Sequence, residues 1–305
     1  MVLTFFYRLF FLFLLIFISS PLTPLRAQGL EPTVSILPQP LDVGSPARVV
    51  ISNFPLDVVI SGRFDDKPIF FFPHNSSLIG LFGADIALAQ GTYPLTLFWE
   101  GGKKSFEVVV KAKDYGVRDI KVPQSKVELS PEDLARSKKE SDLTKAALAI
   151  KSPEKLWSGE FIEPVNSRVN SSFGRLTRLN GKLNSRPHAG ADYLAPTGTP
   201  VKAPADGLVL LTGDHFFAGK SVYLDHGQGL ISMYFHLSEI KVEEGLKIKK
   251  GQILGLTGQS GRVTGAHLHY GIYINGARID PLVFRRLTSQ LTASPPKPTS
   301  ASKGL

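Results

Sequence analysis

Five side chains that can bind metal or transfer protons lie in three short segments of the 305-residue chain. They are His188 and Asp192 in the first segment, His236 in the second, and His267 and His269 in the third. Imidazole and carboxylate groups are zinc ligands, and a zinc site with three protein ligands leaves one position for water. Two further imidazoles beside such a site would supply acid–base groups. The residue types therefore indicate a hydrolytic zinc site.

The first pair is four residues apart and has turn-forming neighbours. Pro187 precedes His188, and Gly190 lies between His188 and Asp192. This pattern favours a turn that enters a strand over the face of a helix. Taken alone, the pair is as compatible with a hydrogen-bonded structural contact as with a metal site.

The third segment carries a stronger signal. In a strand, residues i and i+2 face the same side, so His267 and His269 would lie side by side while Leu268 faces the core. Two adjacent imidazoles are unusual without a metal or an acid–base task. His236 lies in another strand-like segment and, taken alone, would be interpreted as a buried structural histidine. The other histidines lie in predicted loops or turns and are interpreted as structural: His74, His215 and His226.

The composition limits the classes of site and partner. The chain has no cysteine, which excludes zinc ribbons, disulfide scaffolds and cysteine nucleophiles. The net charge is +9, which favours an anionic polymer such as a cell wall or an anionic membrane face as partner. We find no aromatic-and-basic module of the kinds that bind nucleic acid, so no nucleic-acid partner is expected.

The N-terminal segment predicts export. Arg8 precedes an apolar run at 9–18, and Leu25-Arg26-Ala27 offers a small-residue cleavage site, so residues 1–27 are predicted to be a signal peptide. A membrane-spanning helix needs about 20 apolar residues. An uncleaved anchor formed by residues 2–18 is the alternative. In both cases the remaining chain is expected in the periplasm or cell envelope.

The rest of the chain is predicted to be mainly β. Residues 28–114 contain short apolar runs separated by turn residues, and the alternation on both sides of Gly101-Gly102 predicts a hairpin within a small immunoglobulin-like β-sandwich. Residues 115–157 predict a helical linker, with a helix that starts at Ser130 and ends near Lys151. Residues 158–290 predict an antiparallel β-domain, and residues 291–305 a disordered tail.

Seven short motifs between about Phe161 and Phe284 together give a specific resemblance. They are Ser-Phe-Gly-Arg at 172–175, Pro-His-Ala-Gly-Ala-Asp-Tyr at 187–193, Ala-Pro-Thr-Gly-Thr-Pro-Val at 195–201, Asp-His-Gly at 225–227, Tyr-Phe-His-Leu at 234–237, Gly-Arg-Val-Thr-Gly-Ala-His-Leu-His at 261–269 and Asp-Pro at 280–281. In this order they resemble the lysostaphin-type (LytM-like) zinc metalloendopeptidases that cleave peptidoglycan peptides. The resemblance implies a C-terminal metallopeptidase domain of the duplicated hybrid motif type.

The resemblance also implies roles for the five residues. By position in the motifs, His188, Asp192 and His269 correspond to the Zn²⁺ ligands, and His236 and His267 to the catalytic histidines that are not ligands. Which of the two is the general base stays open. Some members of the family have a tyrosine upstream of the first ligand. The corresponding segment here, 180–186, has no tyrosine, so Arg186 or another group takes that role or the role is absent.

The expected function is zinc-dependent hydrolysis of peptide bonds in peptidoglycan stems or cross-bridges, with peptidoglycan peptides as substrate and room for a regulatory protein partner. The main alternative is a catalytically silent activator of cell-wall amidases. A biotinyl or lipoyl carrier would need a lysine on a hairpin tip between two glycine-turn passages, where the chain has His236 instead. A cupin-like metal site is disfavoured because its His-x-His pair precedes the other ligands.

Overall fold

The computed structural model describes residues 31–121, 129–150 and 152–292. The predicted signal peptide at 1–27 lies outside the described residues, and so does the predicted tail from residue 293 onward. In the described part of the chain, no helix is both long and apolar enough to cross a membrane. The described architecture is mainly β, as the sequence predicts.

The N-terminal region consists of two β-sheets, with strands numbered in chain order. The first sheet has the order β1 (Thr33–Leu37), β3 (Pro46–Ser52), β7 (Ser77–Gly83) and β6 (Phe71–His74). The second has the order β2 (Leu41–Asp42), β9 (Gly102–Lys111), β8 (Gly91–Trp99), β4 (Ile60–Phe64) and β5 (Lys67–Ile69). Side chains from both sheets form one apolar core, and we call this region the sandwich. Its assignment to the immunoglobulin type stays a prediction.

The predicted hairpin is present, with its turn one residue earlier than expected. Trp99 pairs with Gly102, so the two turn residues are Glu100 and Gly101 rather than Gly101 and Gly102. Gly101 has a φ of +87°, which a glycine adopts without strain. Gly102 begins β9, where an added Cβ would lie 2.8 Å from the Trp99 ring. The two glycines therefore serve different purposes, one in the turn and one in packing.

The C-terminal region is organised around one antiparallel sheet. Its main path has the order β11 (Val169–Ser171), β14 (Ala191–Tyr193), β21 (Leu268–Ile274), β18 (Leu230–Ile240), β17 (Gly219–Asp225), β16 (Gly207–His215) and β19 (Lys247–Ile248). Beside this path, β15 (Pro200–Lys202) pairs with β20 (Ile253–Thr257), β20 pairs with β18, and β22 (Ala277–Ile279) pairs with β21. Helix α2 (Pro281–Thr292) follows, so the first two residues of the predicted disordered tail are helical.

The segment predicted as a helical linker is helical only in part. Before the helix it forms β10 (Val117–Ile120), which pairs in parallel with β12 (Leu176–Leu179). A hairpin joins β12 to β13 (Lys182–Asn184), which completes a three-stranded sheet. The four-residue strand β10 was missed because its partner lies about sixty residues further along the chain.

Helix α1 (Pro131–Ala149) begins directly after Ser130, whose hydroxyl accepts a hydrogen bond from the backbone N–H of Asp133 at 3.1 Å. It lies against the C-terminal sheet near β16. The carboxylate of Glu140 accepts from the N–H of Phe216 at 2.7 Å, and the Arg136 guanidinium donates to the Asp214 carbonyl at 2.8 Å. The helix is therefore a docked element of the C-terminal region as well as a connection.

The sandwich and the C-terminal region share buried surface. Phe72, Ile79 and Leu81 of the first sheet belong to the apolar core of the C-terminal region. At the same boundary, the Arg278 guanidinium donates two hydrogen bonds to the Asp85 carboxylate, at 2.6 and 3.0 Å. Strand β7 is buried along nearly its whole length because both of its faces are covered.

Candidate metal centre and active site

Three of the predicted site residues bring their polar atoms together at one point. Nε2 of His188 lies 2.9 Å from Oδ1 of Asp192, and Nδ1 of His269 lies 3.0 Å from the same oxygen. The two histidine nitrogens are 3.0 Å apart. Each side chain is 10–13% exposed, so the three atoms lie at the bottom of an opening rather than on an open surface.

Adjacent strands position two of the three side chains. Asp192 on β14 and His269 on β21 are direct partners in the antiparallel register, so their side chains lie next to each other on one face. Phe235 on β18 is the partner of His269 on its other side, and its ring stacks on the imidazole at 5.2 Å. The stacked ring limits rotation of His269.

His188 lies in the loop before β14 and is held by the backbone of residues 172–175. Its N–H donates to the carbonyl of Arg175 at 3.0 Å, and its carbonyl accepts from the N–H of Gly174 at 2.8 Å. Its ring Nδ1 lies 3.1 Å from the carbonyl of Ser172. Because a carbonyl only accepts, Nδ1 carries the proton and Nε2 presents its lone pair to Asp192 and His269.

This donor set fits a zinc ion. Three electron-rich atoms about 3 Å apart repel one another unless a proton or a cation lies among them. Burial opposes ionisation of Asp192, but the adjacent imidazoles of His188 and His269 outweigh it and hold the pKa of this carboxyl well below its usual range. Burial also lowers the pKa of His269, which favours the neutral imidazole that a metal requires.

The other two predicted residues lie beside these three. The imidazoles of His236 and His267 have ring centroids 4.8 Å apart. Nε2 of His267 lies 3.8 Å from Oδ1 of Asp192, so it faces the three-atom cluster without joining it. The site therefore contains a close set of three ligand atoms and two flanking imidazoles, all from residues that the sequence singles out.

His236 has a backbone conformation that strand periodicity does not predict. Its φ is +65°, and the register between β17 and β18 shifts next to it, as does the register between β18 and β20. Positive φ is uncommon outside glycine and often marks a functional position. The irregularity directs the ring toward His267 and fixes its Nδ1 3.0 Å from the carbonyl of Ser260.

The neutral form of His236 is strongly favoured. Burial is the main cause, and the neighbouring His269 and His267 add to it, so that the pKa of His236 falls to about 3. Nδ1 of His267 lies 2.9 Å from the carbonyl of Gly265. In both side chains Nδ1 is the donor, and Nε2 is left as a proton acceptor.

The five residues line a groove with a volume of about 530 Å³. One wall comes from the loop 262–267, and a second wall comes from the three-stranded sheet, through Arg118 and Ile120 of β10 and Thr177 of β12. The sequence did not predict this second wall, because β10 was assigned to the linker. Asn184 of β13 also lines the groove, whereas the exposed Arg186, considered as a replacement for the tyrosine, is not among the lining residues.

The remaining histidines lie away from this groove. His226 is fully buried, with its ring between the carbonyl of Asp206 and the hydroxyl of Ser232, each at 2.7 Å. His215 is buried against the hydroxyl of Ser221, also at 2.7 Å. Their contacts agree with the structural interpretation.

Comparison with known proteins connects this site to a family of peptidases. The model of peptidase family M23 matches residues 186–281. The chain is 41% identical over 123 residues to the peptidoglycan DD-endopeptidase ShyA of Vibrio cholerae, which is 39% of this chain and 28% of that protein. It is 39% identical over 144 residues to the DD-carboxypeptidase/endopeptidase Mpg of Neisseria meningitidis, 47% of this chain and 33% of that protein. The chain thus spans about a third of the length of these relatives.

A solved structure extends the similarity beyond the metal site. A peptidase M23 protein from Pseudomonas aeruginosa has a TM-score of 0.66 and 32% identity, over 82% of this chain and 96% of that one. The segment matched by the family model contains all five residues that meet in the groove. Since the similarity includes this segment and covers nearly the whole of that structure, the chain belongs to peptidase family M23.

Proposed function

We propose that the protein is a zinc-dependent endopeptidase that hydrolyses D,D-peptide bonds in peptidoglycan cross-bridges. The observation that carries this proposal is the convergence of His188, Asp192 and His269 on one point, with His236 and His267 beside it in one groove. The relatives named as peptidoglycan DD-endopeptidases support the choice of substrate and bond.

His188, Asp192 and His269 would hold the metal. A zinc ion bound there would act as a Lewis acid and lower the pKa of a water molecule toward neutrality. The protein would supply two neutral imidazoles, from His188 and His269, and one ionised carboxylate, from Asp192. The Ser172 carbonyl fixes the tautomer of His188, and the low pKa of Asp192 keeps its carboxylate charged.

His267 is the better placed of the two flanking histidines to accept a proton. Its Nε2 faces the ligand atoms, and its Nδ1–H is engaged by the Gly265 carbonyl. After it has accepted the proton, its Nε2–H can donate to the leaving amine. His236 has the same tautomer, so it too presents an acceptor at neutral pH and orients the attacking water through a hydrogen bond. An oxyanion-stabilising role for either ring requires the protonated form.

The groove suits an extended, acidic peptide. Arg118 on one wall and Arg262 on the other line the same groove as the metal-ligand residues. Peptidoglycan stem peptides carry free carboxylates, and guanidinium groups bind carboxylates with directed hydrogen bonds. We propose that these two arginines bind carboxylates of the stem peptide.

The proposed location follows from the substrate. An enzyme that acts on the wall must be exported, and residues 1–27 supply the signal proposed for that purpose, with residues 2–18 as an anchor if they are retained. The basic net charge of +9 favours association with an anionic wall.

The test is digestion of purified peptidoglycan by the exported form of the protein, with mass identification of the products. We expect fragments cut at the D,D-bond, no release in the presence of a chelator, and recovery of release when zinc is added back. His188→Ala should reduce release by at least ~10³-fold, because removal of a ligand removes the metal-activated water. Its matched control is His215→Ala, which removes a buried imidazole away from the groove.

Two outcomes would overturn the proposal. Release that is insensitive to the chelator would exclude the metal mechanism. An inactive wild-type protein whose cellular effect survives the His188→Ala change would instead favour the activator of cell-wall amidases.

A further inference from the structure

We infer that the sandwich positions the metal ligand His188 by holding Phe173 in its core. This inference rests on the proposed metal site and adds a function for the N-terminal region. Asp192 and His269 are supported by neighbouring strands of the C-terminal sheet. His188 is in a loop, so its position depends on the backbone of residues 172–175, to which it is bonded.

Phe173 connects the C-terminal region to the sandwich. It follows β11 in the C-terminal region, yet its side chain is 1% exposed and belongs to the apolar core of the sandwich. The ring of Tyr115 packs edge-on against it with a centroid distance of 5.7 Å. The Phe173 side chain thus packs in the sandwich although its backbone belongs to the C-terminal region. This packing fixes the backbone of the neighbouring residues against the sandwich.

The Phe173 ring is tightly packed against the sandwich. A Cβ added to Gly44 of the sandwich would lie 2.4 Å from the Phe173 ring, so the backbone approaches the ring as closely as a glycine allows. The hydroxyl of Tyr115 donates to the carbonyl of Val43 at 2.7 Å, which fixes the second aromatic ring. A Cβ added to Gly174 would lie 2.2 Å from the Tyr115 ring. Little space is left for residues 173 and 174 to shift.

The backbone on both sides of Phe173 is hydrogen-bonded to the metal ligand His188. The residue before Phe173 supplies the carbonyl that fixes the ring of His188, and the residue after it supplies the N–H that binds the His188 carbonyl. A displacement of Phe173 therefore moves two of the three backbone partners of His188 together. Groups that hydrogen-bond to a metal ligand set its tautomer and direction, and their loss typically lowers metal affinity by about 10- to 100-fold.

The experiment compares two phenylalanine substitutions in the full exported protein. Phe173→Leu keeps an apolar side chain but loses the ring contacts with Gly44 and Tyr115. Phe64→Leu is the matched control, because Phe64 is also 1% exposed in the sandwich core and packs on Phe82 and Tyr93. Zinc affinity is measured by competition with a chromophoric chelator, and thermal stability is measured on the zinc-free proteins.

We expect Phe173→Leu to weaken zinc binding by ~10-fold or more. Phe64→Leu should lower thermal stability about as much as Phe173→Leu does, and should leave zinc affinity within ~2-fold of that of the wild type. Equal zinc affinity of Phe173→Leu and wild type would overturn the inference. So would an equal loss of affinity in Phe64→Leu, because affinity would then follow stability alone.

A milder variant keeps the test decisive if Phe173→Leu does not fold. Tyr115→Phe removes only the hydroxyl that binds the Val43 carbonyl, and we expect a several-fold loss of zinc affinity from it. An unchanged affinity would contradict the inference. Failure of the proposed function would look different. A wild-type protein that binds no zinc would overturn both the proposed function and this inference. Unchanged zinc affinity in the variants would overturn only the inference that Phe173 positions His188.

Discussion

The sandwich and the C-terminal region are both β-structures with apolar cores, but they bury polar groups very differently. In the described part of the sandwich, Ser45 is the one buried polar side chain. The C-terminal region buries ten: Asp192, His215, Ser221, Asp225, His226, Ser232, His236, Thr257, Asn275 and Thr288. Since a buried polar group destabilises the fold unless it is hydrogen-bonded, the C-terminal region relies more on buried hydrogen bonds than the sandwich does.

Several buried polar groups of the C-terminal region are hydrogen-bonded to nearby side chains or backbone. Asp225 accepts hydrogen bonds from the hydroxyl of Ser152 and from the N–H of Gly227. Ser232 bonds to both His226 and the hydroxyl of Tyr234, at 2.7 Å each. Most of these groups lie away from the metal ligands, so they stabilise the scaffold and leave the chemistry to the five residues in the groove. Burial of a histidine therefore does not by itself identify a catalytic one.

The largest expected effect separates a catalytic histidine from a metal ligand. We expect His267→Ala to lower kcat by ~10²- to 10⁴-fold, because it removes the proposed proton acceptor. Zinc binding should persist, since Nε2 of His267 lies 3.8 Å from the Asp192 carboxylate and outside the cluster of three ligand atoms. Kinetics on peptidoglycan fragments and zinc titration measure the two properties. His74→Ala, in β6 of the sandwich, is the control, and zinc loss in His267→Ala would reassign His267 as a ligand.

A pair of leucine substitutions tests whether a packing defect in each region affects stability alone or both stability and catalysis. Leu97 of the sandwich and Leu268 of the C-terminal sheet are both fully buried, so Leu→Ala at either site should lower the free energy of unfolding by ~2–5 kcal/mol. Only Leu268→Ala should also lower kcat of the folded protein, because Leu268 lies between His267 and His269. Denaturant unfolding and kinetics provide the readouts. An equal kcat loss in Leu97→Ala would remove the distinction between the regions.

The smallest expected effect concerns pH and a buried structural histidine. Burial lowers the pKa of His226 to about 4, from an ordinary value of 6.5. The unfolded chain therefore takes up a proton that the folded protein excludes, so the contribution of His226 to stability is complete above pH 6.5. That contribution decreases as the pH falls from 6.5 to about 4, by on the order of 3 kcal/mol in total.

Unfolding of the zinc-free protein between pH 7 and pH 4 measures this loss. His226→Gln cannot titrate, so its stability should depend less steeply on pH than that of the wild type. An unchanged slope would mean that His226 titrates alike in the folded and unfolded protein. Zinc is removed for this comparison because metal release at low pH would add its own destabilisation.

The sequence predicted local features where residue type and local geometry are directly linked. Alternation of apolar residues predicted β8 and β9, and the serine–proline–acid pattern predicted the start of α1. The hairpin turn was misplaced by one residue because Gly101 and Gly102 both allow positive φ. Local sequence alone does not distinguish a glycine needed in the turn from one needed beneath a tryptophan ring.

The types of the five residues and their motifs indicated which side chains are available for the chemistry, because metal ligation depends on the donor atoms that imidazole and carboxylate groups supply. The tertiary structure decided how they meet. It formed the irregularity at His236, brought β10 beside β12 to make a groove wall, and placed Phe173 in the sandwich core. These features depend on contacts between distant segments, whose pairing is selected by packing of the whole molecule and not by local propensity.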